Sequence, residues 1–251
     1  MCCFSGPVLE VKRTNIFARI EGKEQFVVYR MEFSTDNELA MILPIPVIAG
    51  SPDDAVRFID LEHYGRFFAD VGALFPPEPV AAGLALDVDV FGGAAPPLVV
   101  HEVGAYDASF VPTVSDFSRL DERFRMPERL WTLLPDYQDF GFAVFKLASG
   151  RSQRAHPMAF AFPTRDPETL FFPTLHVHDG DVHDLAHFDH YLYAQAPNRP
   201  SEDGWEPSDF KAGEHVDVDR TRGIVRSDQL CYRQRIFGKQ KNRDVISPLA
   251  A

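Results

Sequence analysis

The sequence is poor in cysteine, in basic residues and in long apolar runs. Three Cys occur in 251 residues. Adjacent Cys2 and Cys3 with a distant Cys231 do not form a disulfide framework, so reduced thiols and a cytoplasmic setting are expected. No run approaches the roughly 18 apolar residues of a helical membrane span. The opening Met-Cys-Cys-Phe-Ser-Gly-Pro lacks the basic and apolar regions of a signal peptide. Lys and Arg number 25 against 37 Asp and Glu, a formal net charge of −12. Such a surface repels phosphate backbones and anionic lipid heads, which argues against nucleic acid and membrane partners. Gly-x-Gly-x-x-Gly, a Walker-type loop, a Gly-x-Ser-x-Gly elbow and a helical His-Glu-x-x-His are all missing. The dinucleotide, nucleotide, serine-hydrolase and zincin templates therefore have no foothold.

What is abundant is Phe, with 22 copies, and Pro, with 20. Many Phe favour packed sheet, and frequent Pro favours short elements with defined turns. Val8–Lys12, Asn15–Ile20, Gln25–Phe33 and Leu39–Leu43 alternate with turn residues and predict an antiparallel meander. Later runs predict strands at Leu86–Phe91, Leu98–Ala105 with its continuation Ser109–Val111, Phe140–Leu147, Pro157–Phe162, Leu170–His178 and Phe188–Gln195. Weaker candidates lie at His215–Asp219 and Gln229–Phe237. Capping residues and Pro positions predict four helices, near 52–60, 62–74, 115–124 and 127–137. Segregated strand and helix groups place the chain in the α+β class, with mainly antiparallel sheet in a single compact domain. Its loosest region is the Pro/Gly-rich stretch 76–97, and a polar loop spans 197–208.

Five of the nine His fall between His176 and His190. Asp179-Gly180 between alternating residues is a two-residue hairpin signal. The implied register sets His178 opposite Asp181, Val177 opposite Val182 and His176 opposite His183. His176, His178, Asp181 and His183 then share one face, with Cβ atoms of opposed residues about 5 Å apart. Imidazoles and a carboxylate at that spacing suit a transition metal ion, Zn, Fe or Cu. The expected ligands are His176, His178 and His183, with Asp181 as fourth ligand or as acceptor for a ring N–H, and with His190 or an N-terminal thiol available to complete the set. Three ligands with an open position would support activated-water or dioxygen chemistry on a small molecule; a closed set would be structural or a carrier. The competing reading is a hairpin that packs Val inward and shows His and Asp to water. For His190, on an apolar strand face, the competing reading is a hydrogen-bonded core residue. His101 and His156 have no local partner.

Two further readings stay open. Removal of Met1 would leave Cys2 with a free α-amine beside its thiol, the arrangement of an N-terminal nucleophile amidohydrolase. The start superficially resembles the cholylglycine-hydrolase type, but Ala18-Arg19-Ile20-Glu21 follows Phe17 where that family has Gly-Arg-Asn-Met-Asp. The last reading is a non-catalytic interaction module using its Pro-rich loops. Cys231 reads as a strand residue, and the basic cluster Arg233–Arg243 as a solvated face.

Several short motifs resemble a bacterial family of unknown function: Cys2-Cys3-Phe4, Ile16-Phe17-Ala18, Leu43-Pro44-Ile45-Pro46, Val103-Gly104-Ala105-Tyr106-Asp107-Ala108, the passage Leu133–Lys146, Phe160-Ala161-Phe162-Pro163 and Tyr191-Leu192-Tyr193-Ala194. The likeness covers most of residues 1–195. It departs in lacking a leader before the Cys-rich start and in carrying the His cluster. It implies an architecture and no activity.

Overall fold

The computed structural model describes residues 3–76, 100–104, 106–154, 156–201 and 203–250. Burial is near-continuous along the first long strands. β2 (Glu10–Glu21) and β3 (Glu24–Thr35) form the first hairpin of the expected meander, but β4 (Leu39–Ile45) crosses to another sheet, where it pairs with β1 (Cys3–Phe4) and not with β3. The expected turn at Arg13-Thr14 is instead a bulge inside one strand. Arg13 takes φ 53, and the β2–β3 register shifts between Lys12 and Asn15. A bulge absorbs one extra residue while the ladder continues on either side.

The remaining strands are β5 (Arg57–Asp60), β6 (His101–Val103), β7 (Tyr106–Val111), β8 (Gly141–Leu147), β9 (Gly150–Arg154), β10 (Met158–Pro163), β11 (Thr169–Phe172), β12 (Leu185–Gln195), β13 (Glu206–Lys211), β14 (Leu230–Lys241) and β15 (Val245–Pro248). One sheet has the order β1-β4-β8-β7-β6. A larger one runs β13-β14-β12-β2-β3-β10-β5, with β9 also on β3, and β11-β15 is a separate ribbon. Among these strand pairs only β12–β2 is parallel. The mainly antiparallel character therefore holds.

The core lies between the two large sheets. Ile16, Val27, Tyr29 and Met31 of the larger sheet meet Met41, Leu43, Phe110 and Phe145 of the smaller. Both outer faces are covered in part as well. Phe67, Phe68 and Val71 of α1 (Phe67–Gly72) pack on Phe17, Val28 and Tyr193. Leu130 and Trp131 of α2 (Glu128–Leu133), with Phe117, Leu175 and Val177, pack on Ile42, Phe142 and Val144. Strands buried on both sides read as near-continuous apolar runs, as β4 does. The two Pro of Leu43-Pro44-Ile45-Pro46 predict a segment that leaves the sheet or lies at an edge, and Leu43-Pro44-Ile45 does lie at an edge: β8 pairs it on one side, while β1 reaches no farther than Ile42 on the other.

The helices correct the sequence reading most. Ser51–Asp54 makes only a turn, and 57–60 is β5, paired with β10. Phe58 there faces Phe145 and Phe160 while Ile59 faces the α1 side, so alternate burial overrides the capping signal. The expected helix 62–74 reduces to a 3-10 turn, Glu62–Tyr64, and the six-residue α1. The one at 115–124 is two 3-10 pieces, Val114–Arg119 and Glu122–Phe124. The last becomes α2 and a 3-10 turn at Pro135–Tyr137, separated at Leu134. The strand expected at 215–219 is replaced by 3-10 turns, Ala212–Glu214 and Val218–Thr221. The strand expected at 86–91 lies outside the described residues.

Gly141 shows how tightly β8 packs. A Cβ there would lie 2.5 Å from Phe110 Cε2 and 2.9 Å from Val47 Cγ2, and both neighbours are buried. Gly141→Ala is expected to lower unfolding free energy in urea by about 1–3 kcal/mol, the usual cost of overpacking. Unchanged stability would show that the Phe110 ring can slide aside.

Candidate functional site

The His-bearing segment is placed by a ribbon and a clamp. β11 pairs with β15 so that Phe172 faces Val245, which brings Thr174 beside Asp244. The buried Asp244 carboxylate accepts from Thr174 N (2.6 Å) and Leu175 N (2.7 Å) through Oδ1, and from Tyr137 Oη (2.6 Å) through Oδ2. Asn242 Oδ1 accepts from His176 N (2.7 Å), and its Nδ2 donates to the carbonyls of His176 and His183, both at 2.9 Å. These side chains satisfy backbone groups that have no ladder partner here. Burial pushes the Asp244 carboxyl above the ordinary carboxylate range although three donors hold it, and burial pushes Tyr137 upward.

The expected hairpin is not formed. After an isolated bridge at Val177, residues 178–181 make bends and no ladder joins 176–178 to 181–183. β1 occupies that position: Phe4 N donates to Val177 O (3.0 Å), and Cys3 bridges Val177. With a strand edge already supplied, the turn has no need to fold back on itself. Leu175 and Val177 pack beneath α2, while His176 and His178 turn the other way.

There the five expected ligands separate into two groups. His176 stacks on His178 (ring centroids 5.0 Å, 13°) and on His190 (5.4 Å, 23°), with Phe188 at 4.2 Å and Phe4 against His178. The Nε2 atoms of His176 and His178 are buried and have no hydrogen-bond partner among the described residues. His190 is fully buried, and its Nδ1 accepts from Asp189 N (3.2 Å), as its core reading required. Burial lowers all three imidazoles, His178 to about 4. His183 and Asp181 stand outside this group. His183 Nε2 meets Asp179 Oδ2 at 2.8 Å, and Asp181 pairs with Arg129 at 2.9 Å. Both pairs are exposed. Among the described residues no group of three or more His, Cys, Asp or Glu has a metal-holding arrangement.

Cys2 lies outside the described residues. Cys3 is buried in β1, and Cys231 is a buried strand residue whose thiol burial pushes up to about 12, a poor nucleophile. His156 and His101 pack at a tilt against Tyr106 (ring centroids 4.2 Å) and Phe58 (5.4 Å).

A second surface was not singled out from the sequence. By the β12–β14 register, Tyr191, Asp189, His187 and Leu185 stand opposite Arg235, Phe237, Lys239 and Lys241. These side chains share the outer face of the larger sheet, beyond the part covered by α1. The Arg235 guanidinium lies over Phe237 (4.5 Å) and Tyr191 (5.2 Å). The row ends in an open groove of about 480 Å³ whose walls include Leu133, Leu134, Val182 and Leu185, with Lys241 and Arg243 at its rim. Its only sequence signal was the basic cluster; the apolar half comes from α2 and the loop before β12.

No protein family model matches this chain, and no curated protein does. Solved structures do. The crystal structure of baculovirus P35 aligns over 100% of both chains with a TM-score of 0.50 and 11% identity. The fold resembles that of baculovirus P35. A mutated P35 after caspase cleavage aligns over 95% of this chain and 100% of its own with TM-score 0.49 and 11% identity. The caspase-8/P35 complex aligns over 95% of this chain and 96% of that one, with TM-score 0.46 and 12% identity. No helix among the described residues is long and apolar enough to cross a membrane.

Depressed imidazoles couple the cluster to pH. The folded state keeps His176, His178 and His190 neutral, while the unfolded chain takes up protons near 6.5. Their contribution is full above pH 6.5 and is lost as pH falls from there towards about 4, the value for His178. Each such proton contributes a slope of up to about 1.4 kcal/mol per pH unit. The upward-shifted Asp189 and Asp244 act in the opposite direction, so a variant isolates the imidazole part. Urea unfolding at pH 7.5 and 5.5, conditions about one unit either side of 6.5, is expected to show a smaller loss for His178→Phe than for the parent. Equal losses would mean that His178 is already protonated when folded.

Proposed function

We propose that this protein is a non-catalytic module that binds another polypeptide, with the outer row of β12 and β14 as its contact. One observation carries the reading. Lys239, Lys241 and Arg243 make no ion pair among the described residues, although the chain offers 37 acidic residues. They stand beside exposed Phe237 and Leu185. Cations left without acidic partners and mixed with accessible apolar groups are suited to an external surface, and aromatic residues and Arg are enriched at protein interfaces. Baculovirus P35 is described in a complex with caspase-8; that likeness selects only the first defined partner to try. Purified chain and caspase-8 are expected to co-elute, with affinity lowered at least about tenfold, or 1.4 kcal/mol, by Phe237→Ser combined with Lys241→Glu. Both positions are exposed, so thermal stability should stay close to the parent's. Association that survives the double substitution would remove this row as the contact.

A second reading keeps a first-row transition metal, Zn²⁺, Fe²⁺ or Cu⁺, on His176, His178 and His190. It rests on the two buried, unpartnered Nε2 atoms, since a buried acceptor without a partner costs about 1–3 kcal/mol. Burial also keeps the rings neutral, as ligation requires. The near-parallel rings would have to rotate to converge on one ion. Asp181 and His183 leave the ligand set because Arg129 and Asp179 hold them. Elemental analysis of untagged protein is expected to show stoichiometric metal that is absent from a His176→Ala/His178→Ala variant. A metal-free parent that binds none of the three added ions would end this reading.

A further inference from the structure

The outer row of β14 has a spacing as well as a charge. Arg235, Phe237, Lys239 and Lys241 are alternate residues of one strand, and all four are exposed. Alternate side chains of an extended chain recur about every 6.8 Å, so a partner segment in the same conformation keeps step with them. Opposite stand Tyr191, Asp189, His187 and Leu185. Among these, Asp189 carries the only carboxylate, and its Oδ2 accepts from Arg13 N at 2.5 Å. Glu32, across β2, is paired with Arg13. Asp136 and Asp184 line the same groove as Lys241 and Arg243. Neither forms an ion pair with those cations among the described residues.

We infer that this row takes an extended, acidic polypeptide segment. Its alternate side chains are acidic against Arg235, Lys239 and Lys241 and apolar against Phe237, and its end is apolar, seated in the groove beside Leu133 and Leu185. The inference rests on the polypeptide-binding reading above and supplies its partner chemistry. Charge complementarity is the argument: the row is basic on a chain of net charge −12, so it attracts an acidic segment locally while the rest of the surface repels misplaced ones. The apolar members set the polypeptide apart from a simple polyanion. Phe237 and Leu185 are 44% and 47% exposed, and Leu133 54%, which leaves area to bury against apolar side chains.

Three labelled polymers test this with the full chain: a random Glu–Tyr copolymer, a random Lys–Tyr copolymer and polyuridylate, each followed by fluorescence anisotropy at low and physiological salt. The Glu–Tyr copolymer is expected to bind, more weakly as salt rises. Lys239→Glu with Lys241→Glu should weaken binding at least about tenfold; Phe237→Ser should weaken it at both salts, and Lys239→Arg with Lys241→Arg should retain it. Preference for the Lys–Tyr copolymer would overturn the acidic partner and leave the polypeptide-binding reading standing. Polyuridylate binding as tightly as the Glu–Tyr copolymer would show that charge alone is recognised, and both readings would fall. Failure of all three polymers to bind would overturn the acidic segment, while caspase-8 association independently decides the broader reading.

Discussion

The Asp244 carboxylate, buried and holding two backbone amides and the Tyr137 hydroxyl, governs the placement of the candidate residues. Without it the amides of Thr174 and Leu175 would face the core with nothing to accept from them. Hydrogen bonds to a charged group are worth roughly 1.5–3 kcal/mol each, and an abandoned buried partner costs a similar amount. Asn242 adds bonds to both ends of the loop, at His176 and His183. One short turn between β14 and β15 thereby fixes the alternation of 175–178: Leu175 and Val177 go beneath α2, and His176 and His178 go towards Phe4, Phe188 and His190.

The same turn joins the two surfaces. β14 enters it from the exposed outer row, and β15 leaves it to hold β11. The buried imidazoles and the cationic row are far apart in sequence but lie on opposite faces of the β12–β14 pair, where His190 stands opposite Ile236 and His187 opposite Lys239, and they are opposite in character. One is dry, neutral and packed against aromatic rings. The other is wet, charged and bounded by accessible apolar groups. Buried Arg19 contributes a comparable anchor on the far part of the sheet, donating to the carbonyls of Ile224 and Gly223 while stacking over Phe26.

Strand pattern was the most readable feature of this chain. Gln25–Phe33, Phe140–Leu147, Pro157–Phe162 and Phe188–Gln195 all fall within or largely on real strands, because alternation and Phe content reflect burial directly. Caps misled at Ser51–Asp54: a local preference worth about 1 kcal/mol yields to pairing with β10 and to burial of Phe58 and Ile59. The Asp179-Gly180 signal failed for a related reason. A hairpin turn is favoured only if its flanks have no better partner, and β1, whose Cys3 pairs with Val177 from far along the chain, takes that place.

Composition and periodicity by themselves determined a mainly antiparallel sheet protein, an acidic surface and a concentration of His between 176 and 190. His190 as a core residue was legible too, because Phe188 and Leu192 at period two place it, and Cys231 was legible as a strand residue from its immediate neighbours Leu230 and Tyr232. Which histidines meet was decided only by tertiary structure. His176 and His178 join His190 across non-local contacts, while His183, adjacent in the expected hairpin, turns outwards to Asp179. The clamp of Asn242, Asp244 and Tyr137 leaves no local trace, since its partners are main-chain groups far along the chain. The basic run 233–243 was visible as charge, but only the β12 register and the position of α2 place Tyr191, Leu185 and Leu133 beside it. Local sequence encodes burial periodicity; long-range pairing decides which buried and exposed groups become neighbours.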